Sequence, residues 1–513
     1  MERLELFALP AAERLPVLNE IGIQTVINGP IPVSADGEPI MGLAPELDNF
    51  YVACGFTAGI AASGGAGEAM ANLILEGDAG MDLWSFDVRR FSHVHAQGRF
   101  LEARAIEAYG AYYKIHWPGE ESDAARDVRR SPLYDRLKAA GGVFGSKNGW
   151  ERVNWFAPKG TEPHDRPSFE EKPNWFGAVA NEHTAIRERV ALIDQTSFSK
   201  FRITGPGTEA ALQKIAAGDL SGPPGKAVYT QLCNETGGIE ADVTLVHIAP
   251  DLVYLITGAG FGVRDQGWIK KHLPASVSIE DQSGAWCVLN ICGPRARDVL
   301  QSLTDADLSN AALPYLGAQW HEVANTWLGI VRVGYVGELG YELYISVESG
   351  AHVYDALWRA GEKHGIAHAG YRAVESCRLE KGYLYWSGDI SPDYNPYEAG
   401  LGFAVALDKG DFIGRDALRG IKAKGVTRKL CSFTVEGFAP FHGGETILHQ
   451  GKVVGQTSSA GYGHTLGKTI AFGYVPVEVV GETAFTIEAF GKAYAATRGP
   501  RCLYDPKGAR LKS

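Results

Sequence analysis

Residues 229 to 242 read Y-T-Q-L-C-N-E-T-G-G-I-E-A-D, and two runs of strand-like alternation follow at once, V-T-L-V-H-I and L-V-Y-L-I-T, around Pro250 and Asp251. Asn234, Gly237 and Gly238 supply a turn that a β-branched residue could not make without strain, so the pattern predicts a hairpin whose second strand begins near Asp242. That placement sets Asp242 at an edge, facing a cavity or solvent. An aspartate after a hairpin turn also serves as a turn or cap residue, so its role depends on what surrounds it.

Working outward, L-G-I-V-R-V-G-Y-V-G-E-L-G-Y-E-L-Y-I (328 to 345) reads as paired strands ahead of a helix, V-Y-D-A-L-W-R-A. Upstream, D-Q-T-S-F-S-K-F-R-I-T-G (194 to 205) follows A-V-A-N-E-H-T-A-I-R-E-R-V-A-L-I-D, where Ile186, Val190 and Ile193 recur at helical spacing and predict one inward-packing face. Downstream come A-G-Y-R-A-V-E-S-C-R-L-E-K-G-Y-L-Y-W-S-G-D-I (369 to 390) and P-Y-E-A-G-L-G-F-A-V-A-L-D-K-G-D-F-I-G-R-D-A-L (396 to 418). From about residue 425, V-V-G-Q-T-S-S-A-G-Y-G-H-T-L-G-K-T-I-A-F-G-Y-V divides into short strands at glycine turns and predicts a small antiparallel barrel. His464 lies in one of those turns and reads as structural.

These stretches resemble the glycine-cleavage T-protein (aminomethyltransferase) superfamily, whose folate signatures are an aromatic followed by N-x-x-G-G-hydrophobic-x-x-D, and Y-x-G-E-x-G-x-E. The resemblance implies that Asp242 meets the reactive amine nitrogens of tetrahydrofolate, with Tyr229 as the leading aromatic. It also implies that Tyr335 packs on the pterin and that Glu342 accepts from its amino-pyrimidine edge. A 2-amino-4-oxo pyrimidine presents two adjacent N–H donors, and a carboxylate has two oxygens to accept them; read without the resemblance, Glu342 is an exposed strand residue. Phe198 falls where the T-proteins have Met against the pterin, and Phe403 where they have Trp after G-L-G. One departure is Val374, which stands where T-proteins carry an Arg ligand.

The length of 513 residues and 45% hydrophobic content predict three or four domains with sizeable cores. A net charge of -11 argues against nucleic acid or an anionic membrane as partner, since either calls for a basic field. Seven scattered cysteines, without a C-x-x-C pair, suggest neither a disulfide framework nor a zinc ribbon and fit a reducing compartment. The opening M-E-R-L-E-L-F-A-L-P is acidic, and no run of about 18 apolar residues occurs. The expectation is a cytoplasmic protein.

The first ninety residues carry V-S-A-D-G-E-P-I-M-G as a turn between strands, N-F-Y-V-A-C as a strand, and G-F-T-A-G-I-A-A-S-G-G-A-G leading into a helix from about Glu68 to Leu75, stopped by Gly77. A glycine-rich strand-to-helix turn suits an anionic or carbonyl-bearing ligand and equally suits close packing. This segment resembles the end of the flavin domain in the dimethylglycine and sarcosine dehydrogenases, which implies an approach of Gly55 and Gly59 to a flavin ring. The G-x-G-x-x-G fingerprint that opens that domain is not in the chain, so no FAD phosphate cradle is assigned. The run G-A-G-F-G-V (258 to 263) has Val263 at the third glycine position and is set aside as a nucleotide motif. Between 87 and 173 the chain resembles the connecting domain of the same dehydrogenases. Trp150, Trp155 and Phe156 there read as core in preference to a channel lining, and the pair His93 and His95, which on a strand would share one face, is assigned no metal.

The expected fold is α+β and multidomain: a truncated flavin-domain remnant (1–92), a connecting domain (93–175), a T-protein-like folate-binding domain (176–424) and a C-terminal antiparallel β-barrel (425–513). In the dehydrogenases a flavin oxidises an N-methyl amine and folate captures the one-carbon unit. The resemblance therefore implies tetrahydrofolate as cofactor, an N-methyl amine as substrate, and FAD only with a flavoprotein partner subunit. Three functions remain open: folate-dependent one-carbon capture within a demethylating dehydrogenase, a flavin-independent folate-dependent demethylase or aminomethyltransferase, and a non-catalytic folate-binding subunit.

Overall fold

A computed structural model describes residues 2–27 and 29–513 of the chain, without the side chains of residues 2–7. Met1 and Asn28 lie outside the described residues. The N-terminal part is thin. Strands β1 (Ile40–Leu43) and β2 (Tyr51–Cys54) pair antiparallel, and the helix Ser63–Glu76 packs on them through Met41, Ala69 and Met70. Gly77 ends that helix at φ 77, a left-handed value that glycine adopts without strain. The turn at Ala35 and Asp36 leads into a strand on one side only among the described residues, and Arg90 fixes it by two bonds to the Asp36 carboxylate at 2.6 and 2.8 Å. His93 and His95 lie on a short 3-10 turn, His93–Ala96, and not on a strand where they would share a face: the carboxylate of Asp87 and the Ser92 cap wind the chain.

The hairpin of β3 (Gly142–Lys147) and β4 (Trp150–Phe156) bridges to the main body, with Trp155 fully buried. Helix Phe176–Glu188 follows and stops at Arg189 (φ -131, ψ -113), so Val190 and Ile193 lie on strand β5 (Val190–Asp194) and not on a helix as their spacing suggests. That strand lies inside a sheet, and Val190, Ala191, Leu192 and Ile193 are all buried; a strand covered on both faces loses alternation and mimics helical spacing.

Two sheets form the main body. The first has the order β10-β6-β9-β8-β7, made of β6 (Ser199–Thr204), β7 (Lys226–Cys233), β8 (Ile239–Ala249), β9 (Leu252–Thr257) and β10 (Ser278–Asp281). The second has the order β12-β13-β14-β11-β5-β15, made with β11 (Trp286–Cys292), β12 (Ala318–Val323), β13 (Thr326–Val331), β14 (Gly340–Ser346) and β15 (Ile366–His368), the last parallel to β5. Each sheet has its own helix-covered core on the outer side. One cluster joins them face to face: Ala227 and Val246 of the first against Val288, Ala318, Val331 and Tyr344 of the second. Helix Tyr371–Lys381 covers the β5 end of the second sheet through Ala373, Val374 and Cys377.

The C-terminal part is a closed antiparallel barrel of six strands, as expected: β16 (Arg428–Glu436), β17 (Thr446–His449), β18 (Lys452–Gly463), β19 (Lys468–Pro476), β20 (Ala484–Ala489) and β21 (Lys492–Gly499). His464 caps the β18–β19 turn, packed against Phe176 and Tyr462. Beyond the barrel the tail returns to the main body, where Tyr504 and Arg510 bond the carboxylate of Glu338.

Candidate functional site

The hairpin forms as the glycines require. Gly237 has φ 88, the Asn234 side chain accepts from the Thr236 and Gly238 amides, and any Cβ on Gly238 would lie 2.1 Å from the Pro392 carbonyl. In register, Gln231 stands opposite Asp242 and Tyr229 opposite Thr244. Directly opposed residues share a face, so Tyr229, Gln231 and Asp242 line the side of the first sheet that carries Ala227 and Val246 toward the second sheet. Pairing of β8 with β9 begins only at Thr244, so Asp242 projects past the end of β9 on that side.

The second sheet answers from the other side. Glu342 stands opposite Asn290 on one flank and Val331 on the other, and Tyr344 opposite Val288, so Glu342 and Asn290 share the face that carries the joining cluster. The two candidate carboxylates therefore rise from facing sheets. The motif's other acid has a different fate: Glu338 is 1% exposed and taken up by Arg187, Arg510 and Tyr504.

Burial sets the electrostatics. It pushes the Asp242 carboxyl up to about 6, against hydrogen bonding from Gln231 (Nε2 to Oδ1, 2.8 Å) and Tyr229. It pushes Glu342 up to about 7, opposed by the Tyr344 hydroxyl (2.8 Å) and the charge of Lys200. Burial and the neighbouring Asp242 raise the Tyr229 hydroxyl well above its usual range, and burial does the same to Tyr335, which donates to the Leu384 carbonyl at 2.5 Å and lies near-parallel to Tyr383. The charge of Asp242 reaches both tyrosines. Two side chains at this interface have unpaired polar atoms: Gln231, fully buried, lacks a partner for Oε1, and Asn290, 1% exposed, lacks one for Oδ1 and Nδ2. Buried polar groups are nearly always paired, so these two side chains leave hydrogen-bonding capacity open between the sheets.

The aromatic candidates stand in two loose stacks. Phe198 lies 6.5 Å from Tyr371, whose hydroxyl is 3.2 Å from the Ser197 hydroxyl and whose ring Arg152 covers. Phe403 lies 6.3 Å from Tyr229 and is 73% exposed. A closed stack in the same molecule, Tyr394 on Tyr474, measures 4.0 Å. Lys200, fully buried, bonds the carbonyls of Thr196 and Phe198 and so holds the loop that carries Phe198. Val374 is buried in the apolar cluster beneath helix Tyr371–Lys381 and offers no ligand contact.

Gly55 and Gly59 lie apart, in the link between β2 and helix Ser63–Glu76, at φ 72 and 57. β2 is half of an antiparallel pair, a Cβ on Gly59 would meet nothing within 4 Å, and Ile60 beside it is 92% exposed. The folate reading does fit the groups present: two half-buried carboxylates, an acceptor on Gln231 and a free amide on Asn290. Among the described residues no group of three or more His, Cys, Asp or Glu is placed to hold a metal ion.

Comparison with known proteins agrees with this architecture. The family described as GCVT N-terminal domain matches residues 133–409, the glycine cleavage T-protein C-terminal barrel domain matches 428–505, and the FAD dependent oxidoreductase central domain matches 76–131. The chain belongs to the glycine-cleavage T-protein family. Mouse mitochondrial sarcosine dehydrogenase is 35% identical over 98% of this chain and 60% of its own length, and human mitochondrial dimethylglycine dehydrogenase 37% over 98% and 58%. Aminomethyltransferase of Synechocystis is 36% identical over 63% of this chain and 88% of its own length. The chain thus spans about 60% of the length of the dehydrogenases it matches. In fold it is similar to the aminomethyltransferase T of Bartonella henselae, with a TM-score of 0.63 over 74% of this chain and 99% of that one at 24% identity. These relatives are enzymes of amine oxidation and aminomethyl transfer.

Sequence reasoning missed Asn290, Tyr371 and Lys200 as contributors here. The signal for Asn290 is faint: a lone amide inside W-C-V-L-N-I-C. For Tyr371 none stands out, since Ser197 and Arg152 reach it from far along the chain, and nothing in S-F-S-K-F marks Lys200, whose carbonyl partners lie two and four residues away.

Proposed function

We propose that this chain binds tetrahydrofolate between its two sheets and captures a one-carbon unit released from an N-methyl amine of the dimethylglycine or sarcosine kind. The observation that carries it is the pair of half-buried carboxylates, Asp242 and Glu342, on facing sheets beside unpaired polar atoms of Gln231 and Asn290. Tetrahydrofolate, when bound, supplies an amine nucleophile that takes a one-carbon unit at the iminium level. Glu342 anchors the amino-pyrimidine edge, and Tyr335, Phe198 and Phe403 give the ring apolar contact. Asp242, with a pKa near 6, is mostly ionised at neutral pH and close enough to neutrality to take a proton, as a general base should be. Its negative charge at a half-buried site favours a cationic iminium beside it, and Gln231 and Tyr229 hold the carboxyl in place.

A flavoprotein partner is part of this reading. Its support is the exposed apolar surface of the N-terminal part, where Val17, Ile21, Ile23, Ile27, Phe50 and Ile60 each stand more than half exposed. A flavin-independent demethylase or aminomethyltransferase is the second reading, and the 36% identity to the aminomethyltransferase of Synechocystis supports it. Desalted chain should show no stoichiometric absorbance near 450 nm; a full flavin spectrum would mean the first ninety residues build a cofactor site. Titration calorimetry with 5-formyltetrahydrofolate tests the folate reading itself. One site per chain is expected, and absence of binding would overturn it. The chain divides, in this reading, into domains at about residues 92, 175 and 424.

A further inference from the structure

Asn290 sits in the middle of β11 with its side chain on the face shared with Glu342. Its neighbours Leu289 and Ile291 point to the other face, into the cluster with Leu343 and Ile345. Across the two flanking strands it meets Ile193, which has no side-chain polar atom, and Glu342, whose carboxylate bonds the Tyr344 hydroxyl. Asn290 is therefore 1% exposed with its whole amide unspent. An unpaired buried amide is a standing cost to the fold, and a leucine, larger but of the same branched outline, would leave no polar atom unpaired there.

Resting on the folate reading, we propose that Asn290 donates a hydrogen bond to the ring carbonyl of the bound heterocycle and so selects a 2-amino-4-oxo ring. The match is one of order along an edge. That ring presents a donor at its 2-amino group, a donor at N3 and an acceptor at O4, in sequence. The facing sheet presents two carboxylate oxygens on Glu342 and then the Nδ2 donor of Asn290 on the adjacent strand. Glu342 alone reads the two donors and leaves O4 buried without a partner. Asn290 is a contact residue for binding and plays no part in the proton transfer assigned to Asp242.

The test is Asn290→Leu, titrated with 5-formyltetrahydrofolate and examined by isotope-edited infrared spectroscopy of ligand labelled at C4. The expected result is a loss of affinity of roughly tenfold or more, since O4 then stays buried and unpaired. The C4 carbonyl band should move to higher frequency as its hydrogen bond disappears. The ligand-free variant should melt no lower than the parent chain, which a residue kept for structure would not do. Should Leu fail to fold, Asn290→Ser, too short to reach, is expected to give the same band shift. Unchanged affinity and an unmoved band would overturn the assignment of Asn290 while leaving the folate reading intact. Absence of binding by the parent chain would overturn both.

Discussion

The N-terminal hundred residues and the double-sheet body are unfinished in opposite ways. The first region has its small core of Met41, Ala69, Met70 and Ala79, yet leaves Ile27 at 94% and Ile60 at 92% exposure. In the body, Leu289, Ile291, Leu343 and Ile345 are all but fully buried, and between the sheets the groups without full partners are polar: the Asn290 amide, the Gln231 carbonyl and the half-buried carboxyls of Asp242 and Glu342, both held above their usual pKa. Apolar excess on the outside points to a covering protein surface. Polar excess on the inside points to a small ligand. The chain's two proposed partners, a flavoprotein and a folate, follow from that contrast.

The contrast breaks if the two regions respond alike to substitution. Leu343→Ala should destabilise the chain by about 2–5 kcal/mol, because the side chain is fully buried and leaves a cavity. Ile60→Asn should change stability by no more than about 0.5 kcal/mol, since the side chain touches little. Urea denaturation of both variants checks this, and a large loss for Ile60→Asn would show that the surface is already covered.

On the polar side, Glu342→Gln should weaken 5-formyltetrahydrofolate binding by about 1.5–3 kcal/mol, replacing a doubly accepting group by one acceptor and an unwanted donor. Calorimetry reads it directly, and unchanged affinity would remove Glu342 as the anchor. The same carboxyl sets a pH dependence. Burial raises its pKa to about 7, so in the free protein it is ionised above that pH and protonated below it. Binding to two N–H donors needs the ionised form. Affinity should therefore be level above about pH 8 and fall by up to about tenfold per unit below pH 7. Glu342→Gln should flatten that slope, and a slope that survives the substitution would assign it to another group.

Much of this was legible in the sequence alone. The hairpin of β7 and β8 was, because Asn234, Gly237 and Gly238 allow few backbone paths, and so was the barrel, because glycine turns cut the sequence after 425 into short strands. The β5 strand was not: V-A-L-I-D is buried on both faces, and such a run has no period to read. Within the motif Y-x-G-E-x-G-x-E, the sequence offers two acids and no means of ranking them by environment. Glu338 is consumed by Arg187, Arg510 and Tyr504, partners more than 140 residues away in the chain, which leaves Glu342 as the free one. Asn290 was invisible for a similar reason. An amide in an apolar strand says nothing until its lack of partners is seen.

The most direct test of the account is Asp242→Asn, assayed for tetrahydrofolate-dependent one-carbon capture from an N-methyl amine with a flavoprotein dehydrogenase supplied alongside. The amide keeps the shape and the Gln231 contact but removes the charge and the proton acceptor. Turnover should fall on the order of 10²–10⁴-fold while 5-formyltetrahydrofolate affinity stays within about tenfold. Full turnover in the variant would contradict the assignment of Asp242 as the group that drives the capture.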